Sequence, residues 1–215
     1  MITSTIYLIR HGQTRSNVTG FYMGRSDEDL DETGRKQATH LASSLAETPL
    51  AAVFSSPLRR ALSTAMEMAA PRSLNTEVVN GLTEMDLGEW QGCHRDDIRS
   101  KWPELWKQWR SDPSGVTLTG GESLAMVGVR AFRAFEAIVK QAEGKTAAVV
   151  THEVVIKTIA ARVLGAPDGI YRRFEIGNAS ISTVIVFNGR YLLASLNDVA
   201  HLGSGWGNQP WRGER

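Results

Sequence analysis

The chain has 215 residues, 42% of them hydrophobic and 22% charged, the balance of a folded globular protein and not of a disordered, collagen-like or membrane-spanning one. Lys and Arg number 24 against 23 Asp and Glu, a formal net charge of +1, so there is no general attraction for nucleic acid or an acidic membrane, and any affinity for anions has to come from arginines placed locally. The lone cysteine, Cys93, can make neither an intrachain disulfide nor a thiolate metal cluster, and it suits a reducing cytoplasm.

At the N-terminus the apolar run 5–9 has no basic stretch ahead of it and is cut by Arg10 and His11, so it reads as a first buried strand and not as a signal peptide. Residues 33–46 carry Ala38, Leu41, Ala42 and Leu45 at helical spacing. A second strand is predicted at 51–54, ending at Ser55-Ser56. Pro57 then falls in the first turn of an alanine-rich helix over 58–70. Segment 93–118 holds Trp102, Trp106 and Trp109 with Pro103 and Pro113 as breakers, and reads as two short helices and a loop forming a lid. Its tryptophans serve either as packing or as an apolar wall for a substrate. Ser123 opens a long helix whose inner face is Leu124, Val127, Ala131, Phe135 and Ile138. Residues 147–151 form a further strand ending at His152, and 154–164 a helix. Segment 181–196 reads as a hairpin turning at Asn188-Gly189, with an edge on which a homodimer could pair. The residues from Gly203 to Arg215 read as a loose tail.

This order of elements predicts an α/β chain, a three-layer α/β/α sandwich with a mostly parallel central sheet, as one domain over 1–215 with the small helical lid inserted at about 93–118. Ligands of such sheets bind at the carboxyl ends of the strands. Three strand ends there carry chemistry: Arg10-His11-Gly12, the segment 55–60, and Thr151-His152. Other motifs fail on inspection. His152-Glu153 begins like a zinc-protease helix, but position 156 is Ile where the second histidine would stand. Gly120-Gly121-Glu122-Ser123 lacks the lysine of a phosphate-binding loop, and no strained serine elbow exists.

The stretch Leu8-Ile9-Arg10-His11-Gly12-Gln13-Thr14-Arg15-Ser16-Asn17 resembles the signature of the histidine phosphatase superfamily, in its phosphoglycerate-mutase-like branch. Further blocks follow in the family's order: Gly24-Arg25-Ser26-Asp27, Ser55-Ser56-Pro57-Leu58-Arg59-Arg60-Ala61, Leu82-Thr83-Glu84-Met85-Asp86-Leu87-Gly88, Gly121-Glu122-Ser123, Val150-Thr151-His152 and Asn197-Asp198-Val199-Ala200-His201-Leu202. The resemblance implies that His11 is a nucleophile that becomes phosphorylated. It implies that Arg10, Arg60 and His152 bind the phosphate, that Glu84 gives a proton to the leaving group, and that Gln13 and Asn17 make further contacts. It implies no metal and no cofactor. At position 153 the family often has glycine. Glu153 there either narrows the pocket and repels anions or favours the start of a helix.

The implied activity is a phosphomonoesterase acting on a small phosphorylated metabolite, with no nucleic-acid or membrane partner. A bisphosphoglycerate-dependent phosphoglycerate mutase is the alternative, and an inactive phosphate-binding scaffold is the alternative of another class. The stretch Met85-Asp86-Leu87-Gly88 after the acid is similar to that of phosphatase members such as the α-ribazole phosphatases and unlike that of the mutases.

Overall fold

The computed structural model describes residues 3–203; most of the tail expected after Gly203 lies outside them. A six-stranded sheet runs in the order β4 (Thr76–Val78), β3 (Leu50–Ser55), β6 (Thr146–Thr151), β1 (Thr3–Arg10), β7 (Ile181–Phe187), β8 (Arg190–Asp198). The first four are parallel, and β7 and β8 are antiparallel additions at one edge. The β7–β8 turn falls at Asn188 and Gly189, both at positive φ (47° and 74°), the pair of left-handed residues that a tight hairpin turn demands. The short edge strand β4 gave no sequence signal, because Glu77 and Val78 are exposed and only Thr76 is partly covered.

The central strands are apolar on both sides because helices cover both faces. Leu8, Ala147 and Val149 point into a core shared with α6 (Leu124–Gln141) and α7 (Glu153–Val163). Their neighbours in sequence, Ile9, Ala148 and Val150, point the other way, against α2 (Glu32–Ser44) and α3 (Arg59–Ala69). The predicted inner face of α6 is buried at all five positions, and Ser123 caps that helix by accepting from Met126 N. Pro57 is not in the first turn of α3. It precedes the capping residue Leu58, and the helix starts at Arg59. The short helix α1 (Arg15–Thr19) was not predicted, nor was the two-stranded ribbon of β2 (Phe21–Tyr22) and β5 (Cys93–His94). Both are too short to carry a periodicity.

Segment 93–118 holds α4 (Arg95–Lys101) and α5 (Pro103–Ser111). Trp102 ends the first and caps the second, and Pro103 occupies the first position of α5, where its missing N–H costs nothing. The segment is seated by a chain of tilted and edge-on ring contacts. Trp90 lies 5.9 Å from Trp106 and 6.0 Å from Trp109, and Trp109 continues to Tyr171 at 6.0 Å. Trp109 is buried and Trp106 half-buried, so these two tryptophans pack the segment onto the core. Among the described residues no helix is long and apolar enough to cross a membrane.

Candidate active site

Strand register assembles the site. In the parallel pair β1–β6, Arg10 stands beside Thr151, and His11 N donates to Thr151 O at 3.0 Å. The residues that follow, His11 and His152, therefore leave the sheet side by side, with ring centroids 5.1 Å apart. On the other side of β6, Ser55 pairs with Val150, and Ser56 N donates to Val150 O. Ser56 thereby reaches His152, with 2.7 Å between Ser56 Oγ and His152 Nε2. Arg60 comes from the first turn of α3, and His152 stands at the N-cap position of α7. Two helix N-termini thus open on one place, an arrangement that favours an anion.

The loop after β1 leaves room only for glycine. A Cβ on Gly12 would lie 2.5 Å from Gly34 O, and one on Gly34 would lie 2.0 Å from Gln13 O. This contact lets α2 press the loop down. Gly12 N also donates to Thr64 Oγ1 of α3, and Thr64 donates on to Arg60 O. The same loop fixes the tautomer of His11. Its Nδ1 lies 2.6 Å from Gly12 O. A carbonyl only accepts, so Nδ1 carries the proton and Nε2 keeps its lone pair. Burial, then the charges of Arg60 and Arg10, hold His11 well below the ordinary histidine range. Burial, then Arg60, does the same to His152. Both rings are neutral near pH 7.

Around them stand the two arginines. Arg60 Nη1 and Nη2 donate to Ser26 O (2.9 Å) and Gly24 O (2.7 Å). Arg10 Nη1 donates to Ile176 O (2.6 Å) and pairs with Glu153 (3.0 Å). Two buried nitrogens, Arg10 Nε and His152 Nδ1, have no hydrogen-bond partner among the described residues. Unsatisfied donors of this kind are costly unless a ligand meets them. Glu84 Oε1 accepts from its neighbour Met85 N at 2.8 Å, and Oε2 lies 3.5 Å from Val154 N at the start of α7. Burial raises the Glu84 carboxyl above its ordinary range. Met85 N and Arg60 oppose the rise, Glu153 adds to it, and Arg10 opposes it.

Gln13 and Asn17 are tied differently from the other expected site residues. Gln13 Nε2 donates to Asp31 (3.0 Å), and Asn17 Oδ1 accepts from Thr14 N and from Asn178 Nδ2. Sequence reasoning missed Asn178, whose amide also reaches His11 O at 3.2 Å. It also missed Arg130. This α6 residue grips both carboxylate oxygens of Glu122 at 2.8 Å and donates to Gly81 O, Thr83 O and Glu84 O. Nothing in the local pattern marks it, since an arginine on a helix is ordinary until the opposing loop is seen.

A neutral imidazole nitrogen among fixed cations and unmet donors is equipment for phosphoryl transfer. Comparison with known proteins gives the same class. The chain belongs to the histidine phosphatase superfamily (branch 1), which it matches over residues 6–199. It is 34% identical over 198 residues to phosphoserine phosphatase 1 of Hydrogenobacter thermophilus, covering 92% of this chain and 94% of that one. It is also 34% identical over 204 residues to a metal-independent phosphoserine phosphatase of Arabidopsis thaliana, covering 93% and 83%. Among solved structures, Bacillus stearothermophilus YhfR superposes with a TM-score of 0.89 at 33% identity, covering 93% of this chain and 99% of that one. The protein is a phosphomonoesterase of small phosphorylated metabolites.

Proposed function

We propose that this phosphomonoesterase works by double displacement on His11, with Arg10, Arg60 and His152 holding the phosphoryl group and Glu84 as the acid and base. One observation carries the assignment: the Nδ1–H of His11 is committed to Gly12 O at 2.6 Å, which leaves Nε2 as the free nucleophile beside the unmet donors. Nε2 attacks phosphorus, the P–O bond to the leaving group breaks, and Glu84 gives its proton to the departing oxygen. Water then attacks phosphorus, Glu84 takes a proton from it, and the P–N bond breaks to release inorganic phosphate and neutral His11. Gly12 O supports the positive charge that the ring carries while phosphorylated, which makes it a better leaving group in the second step. The arginines stabilise charge on the equatorial oxygens. In a rapid-quench sample, an acid-labile, base-stable phosphoryl group should map to the peptide containing His11. His11→Ala should abolish turnover, and EDTA should change nothing. Loss of activity in EDTA, or an adduct elsewhere, would refute this mechanism.

The names of the relatives make phosphoserine the first substrate to test in a panel of phosphorylated metabolites. Segment 93–118 serves as the lid of a one-domain enzyme, and Gln13 and Asn17 make further contacts in the pocket that binds the phosphate. Hydrolysis should exceed transfer. Given 3-phosphoglycerate with and without a bisphosphoglycerate primer, the enzyme should show little primer-dependent isomerisation. The balanced charge supports the absence of a nucleic-acid partner, the single thiol supports a cytoplasmic location, and the β8 edge offers a place for a second copy.

A further inference from the structure

The residue that follows His152 is built into the site and not merely near it. Glu153 Oε2 lies 3.0 Å from Arg10 Nη1, and its Oε1 lies 2.6 Å from Lys157 Nζ one turn along α7. Lys157 is buried, and its ammonium sits 5.2 Å from the centroid of the Tyr171 ring. A buried lysine held between a carboxylate and an aromatic face is an anchor of limited freedom. Glu153 therefore forms a rigid link from α7 to the Arg10 guanidinium. Its neighbour Val154 points its N–H at Glu84 Oε2, 3.5 Å away, so the same turn of helix addresses both the cradle and the acid.

We propose that Glu153 is a positioning residue for phosphoryl transfer, orienting Arg10 through the Lys157–Glu153–Arg10 chain from the same turn of helix whose Val154 N–H faces Glu84. This rests on the roles given above to Arg10 and Glu84. The charged groups acting on Glu84 are Arg60 from α3, Glu153 from α7 and Arg10 at the end of β1. Arg130 of α6 and Arg25 bind its main-chain carbonyl, and the two neutral histidines add no charge. Of these groups only Glu153 disfavours the ionised form of Glu84, and its removal should also unscreen Arg10 and Lys157. Both effects lower the pKa of Glu84, so their signs agree.

The test compares kcat and KM against pH for an alkyl phosphomonoester and for p-nitrophenyl phosphate, in the parent, Glu153→Gln, Glu153→Asp and Lys157→Met. The proton donor is lost as pH rises through the Glu84 value. In Glu153→Gln the alkaline limb of kcat for the alkyl ester should move to lower pH by about one unit, the size of one partly screened charge nearby. Its kcat/KM should fall about tenfold, because Arg10 loses its tether. Lys157→Met leaves the Glu153 charge less compensated and should move the same limb to higher pH. Glu153→Asp keeps the charge and should hold the limb near that of the parent while losing part of kcat/KM. With p-nitrophenolate, which leaves without a proton, the limb should respond far less. Limbs that coincide in Glu153→Gln and the parent would overturn the proposal, as would a Glu153→Gln loss of thermal stability with the limb unmoved. Should Glu153→Gln fail to fold, Lys157→Met decides, and a limb unmoved or displaced to lower pH refutes the proposal. A Glu84→Gln control that loses activity equally on both esters would instead refute the role of Glu84 itself.

Discussion

The proton on His152 decides whether that ring attracts or repels a phosphate, and Ser56 is placed to settle it. Ser56 Oγ already accepts from Leu58 N at 3.3 Å, and its hydroxyl lies 2.7 Å from His152 Nε2. When the hydroxyl donates its one proton to Nε2, the ring proton sits on Nδ1, the buried nitrogen with no partner among the described residues. Nδ1 is then a donor for a phosphoryl oxygen. Ser56→Ala releases this constraint and allows the tautomer that presents a lone pair. The inhibition constant for vanadate or phosphate should rise about tenfold, at a stability cost of about 1 kcal/mol. Nitrogen NMR shifts of the His152 ring should report a mixture of tautomers, and a single unchanged tautomer would rule the idea out. Glu84 gives a second prediction on this scale. Glu84→Gln should reduce hydrolysis of an alkyl phosphate far more than that of p-nitrophenyl phosphate, because only the alkoxide needs the proton. Equal losses on the two esters would move the acid to another group.

Among the elements, α6 does more than cover the sheet. Arg130, two turns into it, binds the main-chain carbonyls of Gly81, Thr83 and Glu84 and is held by the largely buried Glu122. The loop bearing Glu84 has no regular ladder of its own, so this clamp sets where Glu84 stands. Arg130→Met removes the clamp and leaves Glu122 with Arg25 at 3.3 Å and Asp86 N at 2.9 Å. The expected result is a loss of about 2 to 3 kcal/mol in stability and a fall of about tenfold or more in kcat on alkyl esters, with KM little changed. An unaltered kcat in a folded variant would show that the loop holds itself. The long helices were legible because a buried stripe repeats every three to four residues, as with Leu124 to Ile138 on α6. The clamp was not, because it spans 46 to 49 residues of sequence and leaves no periodic trace. The ribbon of β2 and β5 was missed for the same reason: two residues on each strand pair only across the fold.

For the molecule as a whole, the parallel sheet was readable from its apolar strands, and its strand ends pointed to His11, Arg60 and His152 before any coordinate was known. What the strands could not give was register, and register is what sets the two imidazoles 5.1 Å apart. The burial of the pair among arginines has a consequence for stability. Both histidines are held well below their ordinary value of 6.5 in the fold, while the unfolded chain binds a proton on each near that value. The unfolded state thus gains protons first as the solution is acidified, so the stability these residues allow above pH 6.5 is lost as pH falls below it. Glu84 acts with the opposite sign. Its folded value is raised above 4.5, so between 4.5 and that value the native state keeps a proton the unfolded chain has lost, and stability falls as pH rises. Where the windows overlap, the histidines, His201 among them, oppose Glu84 and Asp168, and each proton left unopposed contributes at most about 1.4 kcal/mol per pH unit. Asp29 and Glu122, held low, exert their effect only at more acid pH. Urea unfolding between about pH 5 and 6.5, in a buffer free of phosphate, measures the slope. Glu84→Gln should steepen it by removing an opposing group, and His152→Gln should flatten it by removing one that drives it, each by at most about 1.4 kcal/mol per unit. A parent profile that is flat over this range, unchanged by either substitution, would mean that the histidines are not held neutral by the fold.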